Sequence, residues 1–164
     1  EICACLVGSE MCIRDRAYYN ASATDKYLVD QGGKWSAQAA NDYMATILPE
    51  YSEANGNMVE LIICNNDGMA EGAVSALQGA GYNTGDGKTI PVFGVDATDS
   101  AKQLINEGKM TGTIKQDAEG MASTILNLVS SVQGGGELMD NTSSFNVDEG
   151  VAKIRVPYAT YTGE

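Results

Sequence analysis

The chain has 164 residues, enough for one domain with a substantial core, and 43% of them are hydrophobic. Its 22 acidic and 10 basic residues give a formal net charge of −12, which argues against a nucleic-acid-binding surface. It contains no histidine, the commonest general base and transition-metal ligand, so a hydrolase or a zinc enzyme is disfavoured.

The first sixteen residues, EICACLVGSEMCIRDR, differ from the rest because they hold three of the four cysteines. Cys3, Cys5 and Cys12 lack the spacing of a CxxC metal pair, and charged residues interrupt the apolar run that a signal peptide needs. The stretch LVGSEMCIRD instead resembles the translation of a widely used sequencing-library adapter. The resemblance implies that residues 1–16 are an artefact joined to a truncated gene, with native sequence from about Ala17.

The remaining chain alternates between two kinds of pattern. Apolar residues at helical spacing predict helices within 36–51, 68–81, 98–109 and 117–133. Short apolar runs rich in β-favouring residues predict strands within 58–66, 90–96, 110–116 and 152–158. This alternation predicts an α/β fold, with an open, mostly parallel sheet and helices on both faces.

Two of the predicted helices carry a clear apolar face. In the helix within 68–81 the face consists of Met69, Ala73, Ala76, Leu77 and Ala80. The helix after Asp117 is the most periodic segment of the chain, and its stripe consists of Met121, Ile125, Leu128, Val129 and Val132. An apolar face of this kind is typical of a helix that packs against other elements.

Polar side chains follow three of the predicted strands, which end in Asn65-Asn66-Asp67, Val95-Asp96 and Lys115-Gln116-Asp117. In open α/β sheets, ligands bind beyond the carboxyl ends of the strands. Amides and carboxylates suit a ligand rich in hydroxyl groups, such as a sugar. Trp35, the only tryptophan, offers a flat apolar face for a pyranose ring.

Each of these residues also has a purely structural interpretation. Asp67 and Asp117 are predicted mainly as helix N-caps, because Asp is favoured at strand-to-helix junctions. For Asn66 and Asp96 the structural and ligand-binding interpretations are about equally favoured. A single tryptophan in such a domain is more often part of the core.

Four segments resemble the C-terminal half of the periplasmic galactose/glucose-binding proteins: VELIICNNDGMAEGAVSAL, IPVFGVDAT, GTIKQDAEGMA and KIRVPYA. They stand in the family's order with compatible spacing, and the similarity runs from about Lys34 to Thr160. These proteins are the solute receptors of sugar ABC transporters and of sugar chemotaxis, and they do no chemistry on the sugar. The resemblance implies a partial type I periplasmic-binding-protein fold.

The resemblance also assigns roles to five residues. Trp35 would be one of the aromatic rings that sandwich the sugar, and Asn66 and Asp96 would bond to ring hydroxyls. Gln116 stands where the enteric members carry asparagine, so the amide is kept on an arm longer by one methylene and the preferred hexose stays open. Glu60 matches the glutamate that completes the family's structural calcium site, whose Asp- and Asn-rich loop has no counterpart in this sequence.

The same resemblance implies that the chain is a fragment of a two-lobed protein. Residues 17–116 would form part of the C-terminal sugar-binding lobe. Residues 117–150 would be a crossing segment whose helix belongs to the N-terminal lobe, and residues 151–164 would return a strand to the C-terminal lobe. Most of the N-terminal lobe, with the second sandwiching aromatic ring, would be missing.

The sequence therefore predicts an extracytoplasmic solute-binding protein that captures galactose or glucose in an interlobe cleft and delivers it to an ABC transporter permease. A chemoreceptor is a further expected partner, nucleic acid is not, and the full-length protein is expected to be monomeric. Its expected location is the periplasm, or outside the cell anchored to the membrane. The alternative is the sugar-effector domain of a transcriptional repressor with the same fold, which the scarcity of basic residues disfavours.

Residues 17–164 alone are expected to bind galactose or glucose very weakly or not at all. Only one wall of the cleft would be present, and affinity falls tenfold for each ~1.4 kcal/mol of lost interaction. Isothermal titration calorimetry checks this expectation, and micromolar binding by this segment would contradict it.

Overall fold

The computed structural model describes residues 34–147, 150 and 153–163. The predicted artefact at 1–16 and the segment from 17 to 33 lie outside the described residues, as does Ala152. The described chain falls into two compact units. The first contains residues 34–114 and 160–163, and the second contains the described part of Lys115–Ala159.

All four predicted helices are confirmed: α1 (Ala37–Ile47), α2 (Asp67–Gly79), α3 (Asp99–Asn106) and α4 (Ala118–Gln133). A single 3-10 turn covers Glu53–Asn55. The strands are β1 (Ile62–Ile63), β2 (Val92–Val95), β3 (Gly112–Lys115), β4 (Asn146–Val147), β5 (Ile154–Arg155) and β6 (Ala159–Tyr161). None of the described helices is both long enough and apolar enough to cross a membrane.

The main sheet has the strand order β1-β2-β3-β6. Strands β1 and β2 pair in parallel with Ile62 opposite Val92, and β2 and β3 pair in parallel with Phe93 opposite Gly112. The predicted parallel sheet is therefore confirmed, with shorter strands than the apolar runs suggested. A parallel arrangement places the carboxyl ends of β1, β2 and β3 at one edge of the sheet.

Serine and threonine hydroxyls cap the start of two of the helices. Ser36 accepts a hydrogen bond from the backbone N–H of Ala39, and Thr98 accepts one from that of Ala101 at 3.2 Å. Each hydroxyl satisfies an N–H group that has no partner within the helix.

The core of the first unit lies where α1 and α2 pack together and α2 packs on the sheet. Its most deeply buried side chains are Met44, Ile62, Met69, Val74, Leu77 and Val92. Four of the five residues predicted for the apolar face of α2 are buried, but Ala80 lies just beyond the helix and is exposed. The prediction for Ala80 is wrong because the helix ends at Gly79, one residue before it.

One buried amide forms hydrogen bonds with both segments that lead into β2 and β3. The side chain of Asn83 is fully buried, and its Nδ2 donates to the carbonyl oxygens of Ile90 at 2.8 Å and Lys109 at 3.0 Å. Its Oδ1 accepts from the N–H of Ile90 at 2.8 Å. Asn83 therefore joins the chain at the amino ends of two neighbouring strands.

The prediction of one last strand over 152–158 is wrong in its extent and in its place as the last strand. Among the described residues of that range, Ile154–Arg155 alone forms a strand, and it pairs in antiparallel register with β4 in a separate two-stranded sheet. Pro157 follows closely, and proline has no N–H to donate to a ladder and restricts its neighbours. The chain returns to the main sheet only with β6, which neighbours β3.

Helix α4 belongs to the second unit and keeps its apolar stripe largely exposed. Ile125 is 61% exposed and Val132 is 50% exposed, and Met121 and Val129 are exposed as well. Thr124 is the buried residue of this helix. The predicted helix is thus confirmed, and its apolar stripe lies largely exposed among the described residues.

Gly72 determines how closely α1 and α2 approach each other. A Cβ atom at this position would lie 2.0 Å from the carbonyl oxygen of Ala37, which is backbone and cannot rotate away. Asn41 also donates from Nδ2 to the carbonyl oxygen of Gly72 at 3.2 Å across the same contact. Glycine is therefore required here to let the two helix backbones touch.

Gly72→Ala is expected to lower the free energy of unfolding by about 1–3 kcal/mol, because the methyl group forces the two helices apart. Gly79→Ala in the same helix is the matched control, since a Cβ there meets nothing within 4 Å. It is expected to raise stability by up to about 1 kcal/mol through helix propensity. Urea denaturation measures both, and equal stabilities for the two variants would contradict this packing.

Candidate functional site

The candidate site lies at the carboxyl ends of the parallel strands. Asn66 follows β1 and begins α2, and Asp96 follows β2 at the start of the turn into α3. Because β1 and β2 are parallel neighbours, these two residues lie at the same edge of the sheet. Gln116 comes directly after β3, is half-buried, and belongs to the second unit.

Asn66 is the N-cap of α2, and the two polar atoms of its side chain have different partners. Its Oδ1 accepts from the N–H of Met69 at 2.8 Å, and its Nδ2 donates to the carbonyl oxygen of Trp35 at 3.5 Å. The structural interpretation of Asn66 is therefore confirmed. It does not exclude ligand binding, because a carboxamide has two acceptor lone pairs and two donor hydrogens.

Trp35 lies beside Asn66 and is not a core residue. Its side chain is 50% exposed, so the expectation that a single tryptophan belongs to the core is wrong here. Its φ of 49° is in the left-handed region, which bulky side chains rarely adopt. Ser36, the next residue, caps α1, so Trp35 directly precedes the start of that helix.

Asp96 is exposed and stands in a strained turn. Its φ is 114° and that of Ala97 is 55°, so two successive non-glycine residues have positive φ. Such conformations cost on the order of 1–3 kcal/mol each and persist only where the surroundings hold them. The N–H of Asp96 donates to the carbonyl oxygen of Ile114 at 2.8 Å, which anchors the turn to β3.

Asp67 is fully buried and is not the cap of α2, so the prediction that it acts as an N-cap is wrong. Its Oδ2 accepts from the N–H of Thr98 at 2.7 Å, and its Oδ1 accepts from the hydroxyl of Thr113 at 2.6 Å. Gly94 provides the space, because a Cβ atom there would lie 2.3 Å from Asp67 Oδ1. Asp67 therefore joins the start of α2 to β3 and to the start of α3.

The sequence offered one signal for this contact that the prediction did not use. A glycine inside a strand often marks a place where another group approaches the backbone closely, and Gly94 lies inside β2. Since Asn66 already fills the cap position, the aspartate after it was left to point inward. Asp117, by contrast, is confirmed as a cap and accepts from the N–H of Gly120 at 2.9 Å.

Cys64 is a buried free thiol one residue beyond β1. Burial, and secondarily the negative charge of Asp67, raise the pKa of Cys64 from its ordinary 9.0 to about 12. A thiol with so high a pKa is protonated at neutral pH and is a poor nucleophile or metal ligand.

Glu60 lies in the segment before β1 and is exposed. Throughout residues 34–147, 150 and 153–163, no three Asp, Glu or Cys side chains are grouped so that they could hold a metal ion. The described residues therefore do not assemble a calcium site around Glu60, and its role as a calcium ligand stays a prediction.

Comparison with known proteins gives consistent matches along most of the chain. Residues 16–137 match the periplasmic binding protein domain family. Over 135 residues the chain is 33% identical to the D-galactose/methyl-galactoside binding periplasmic protein MglB of Haemophilus influenzae, covering 82% of this chain and 37% of that protein. Over 128 residues it is 27% identical to the D-allose-binding periplasmic protein of Escherichia coli, covering 77% of this chain and 38% of the relative.

A solved structure shows the same fold. The crystal structure of an ABC transporter periplasmic solute binding protein from Actinobacillus succinogenes with bound D-allose has a TM-score of 0.63 at 24% identity. The match covers 91% of this chain and 44% of that one. It confirms the predicted partial fold, and the chain spans less than half the length of these three relatives.

The Cys64 thiol is expected to make the protein less stable as pH rises between 9.0 and about 12. In that window the unfolded chain loses the thiol proton while the folded chain keeps it, so unfolding becomes more favourable, by up to about 4 kcal/mol. Urea denaturation at increasing pH should therefore show a steeper loss of stability for the unsubstituted chain than for Cys64→Ala. Parallel curves for the two proteins would contradict the raised pKa.

Proposed function

Because the chain belongs to the periplasmic binding protein domain family, we propose that it forms part of a protein that binds galactose or glucose outside the cytoplasm and delivers it to an ABC transporter permease. The sugar is bound and released unchanged. In the proposed complex Trp35, Asn66, Asp96 and Gln116 contact the sugar, and the rest of the site comes from other parts of a longer protein.

The strongest support is the contact between Asn66 and Trp35. The amide of Asn66 donates to the backbone carbonyl of Trp35 at 3.5 Å, which joins the backbone of a residue with a half-exposed side chain to the start of α2. A pyranose ring has an apolar C–H side and a rim of hydroxyl groups. An aromatic face beside a group that both donates and accepts hydrogen bonds matches both of these features.

The Asp96 carboxylate further restricts which hydrogen-bonding groups the ligand can carry. An ionised carboxylate only accepts hydrogen bonds, whereas the amide of Asn66 also donates them. A ligand that satisfies both must carry groups that donate and accept, and hydroxyl groups do so without adding charge. The amide of Gln116 extends the same chemistry beyond β3 in our proposal.

The choice of sugar within this class follows the more similar of the two relatives named above. The relative with 33% identity carries galactose in its name, and the relative with 27% identity carries allose. Galactose or glucose is therefore the proposed ligand, and allose is the natural competitor to test.

The remaining parts of the proposal concern the whole protein. A permease and a chemoreceptor would be its partners, the monomer its working form, and the periplasm or the outer face of a membrane its location. Glu60 would contribute one carboxylate to a structural calcium site completed elsewhere in the protein. No feature of the described residues favours the repressor alternative.

The contacts already present at this edge of the sheet allow the expected affinity to be given as a range. Galactose or glucose should bind the 164-residue chain in the millimolar range, since the side chains are already oriented but the second wall of the cleft is not among the described residues. A titration followed by amide NMR shifts should localise the response to Asn66, Asp96 and the residues beside them.

Two variants test the assigned contacts without removing the helix cap. Asn66→Asp keeps the capping oxygen and removes the amide donors, and Asp96→Asn removes the charge at constant size. Each is expected to weaken binding by about tenfold or more, as the loss of a hydrogen bond at a charged or buried polar group predicts. Asp86→Asn, in an exposed loop, is the matched control and should bind normally. Sugar-induced shifts that are absent, or that fall outside this edge, would contradict the proposal.

A further inference from the structure

Three successive backbone N–H groups in the turn after β2 each have a defined partner. The N–H of Asp96 donates to the carbonyl of Ile114, as described above. The N–H of Ala97 donates to the hydroxyl of Thr113 at 3.3 Å, and the N–H of Thr98 donates to Asp67 Oδ2 at 2.7 Å. All three partners lie on other elements, so the turn is held from outside itself.

The direction of these bonds requires the Asp67 carboxylate. The Thr113 oxygen accepts from the N–H of Ala97 at 3.3 Å, and the Thr113 hydroxyl donates to Asp67 Oδ1 at 2.6 Å. The other carboxylate oxygen receives the N–H of Thr98, so both oxygens of Asp67 must accept. An ionised carboxylate does this, whereas an asparagine amide would bring an NH2 group against one of the two donors.

The turn that these bonds hold is the one that presents Asp96. With φ values of 114° and 55°, Asp96 and Ala97 are in conformations that a free chain of these residues rarely adopts. Without the bonds to Asp67 and Thr113, the two residues are expected to relax to negative φ. The direction of the Asp96 side chain would then change.

Asp67 also directly follows Asn66, the other ligand-edge residue on the same side of the sheet. One buried carboxylate therefore connects the strand end that carries Asn66 with the turn that carries Asp96. We propose that Asp67 is a positioning residue for sugar binding, which keeps the Asp96–Ala97 turn strained and aligned with Asn66 without touching the sugar. This role presupposes the sugar-binding function proposed above.

Two measurements on the isotopically labelled 164-residue chain test this role. Three-bond HN–Hα couplings at Asp96 and Ala97 report the backbone angle φ without any sugar. The galactose titration reports binding. Asp67→Asn and Thr113→Val are expected to move both couplings towards values for negative φ, and to weaken galactose binding at least tenfold.

Two further variants separate positioning from general stability. Thr113→Ser keeps the hydroxyl and is expected to leave both the couplings and the affinity as they are in the unsubstituted chain. Asn83→Ala removes an equally buried polar side chain at the other end of the strands. It is expected to lower the urea midpoint while leaving the couplings and the affinity unchanged.

Unchanged couplings and unchanged affinity in Asp67→Asn or in Thr113→Val would overturn the inference. The inference would also be overturned if Asn83→Ala changed the couplings and the affinity as much as Asp67→Asn does. The effect would then come from lost stability alone. If Asp67→Asn does not fold, the pair Thr113→Val and Thr113→Ser decides between these outcomes. If the unsubstituted chain shows no sugar response, the proposed function is what fails, and the couplings still show whether Asp67 holds the turn.

Discussion

The carboxylate of Asp67 is the contact on which the arrangement of the strand ends depends. A buried charge is tolerated only when hydrogen bonds replace the water it has lost, and here Thr98 and Thr113 supply them. Because the donors come from the turn after β2 and from β3, satisfying the charge also fixes these elements relative to the start of α2. Gly94 is part of the same constraint, since any side chain there would occupy the position of the carboxylate.

The two ends of the parallel strands are fastened by different chemistry. At the amino ends, Asn83 both donates and accepts, as an amide must when it joins two carbonyl oxygens and an N–H group. At the carboxyl ends, Asp67 only accepts, so it gathers N–H and hydroxyl donors and leaves the Asp96 carboxylate on the outside. The two ends of the sheet are thus held by one amide and one carboxylate.

The elements of this fold were predictable from local patterns, and much of the site was not. Helix periodicity and caps such as Ser36 and Thr98 involve residues three or four apart, which a sequence displays directly. The bond from Thr113 to Asp67 joins residues 46 positions apart, and nothing in the periodicity of either segment indicates it. Asp67 was therefore predicted as a cap, although Asn66 and Asp96 were placed at the correct edge by the strand-end rule.

The incorrect prediction of one last strand has a similar cause. The run around Ile154 is apolar and β-favouring, which indicates a strand but not which partner it pairs with. The pairing with β4 ends at Arg155, shortly before Pro157, and β6 then neighbours β3 in the main sheet. Pairing depends on backbone donors and on the path of the chain, so composition alone did not separate the two short strands.

The emission of Trp35 tests the central claim most directly, because this residue is the only tryptophan of the chain and its backbone carbonyl accepts a hydrogen bond from Asn66. The account predicts a saturable change in tryptophan fluorescence as galactose or glucose is added at millimolar concentration. In an otherwise folded Asp67→Asn chain the same change should need at least tenfold more sugar. Emission that does not respond to either hexose, or that responds equally in Asp67→Asn, would contradict the account.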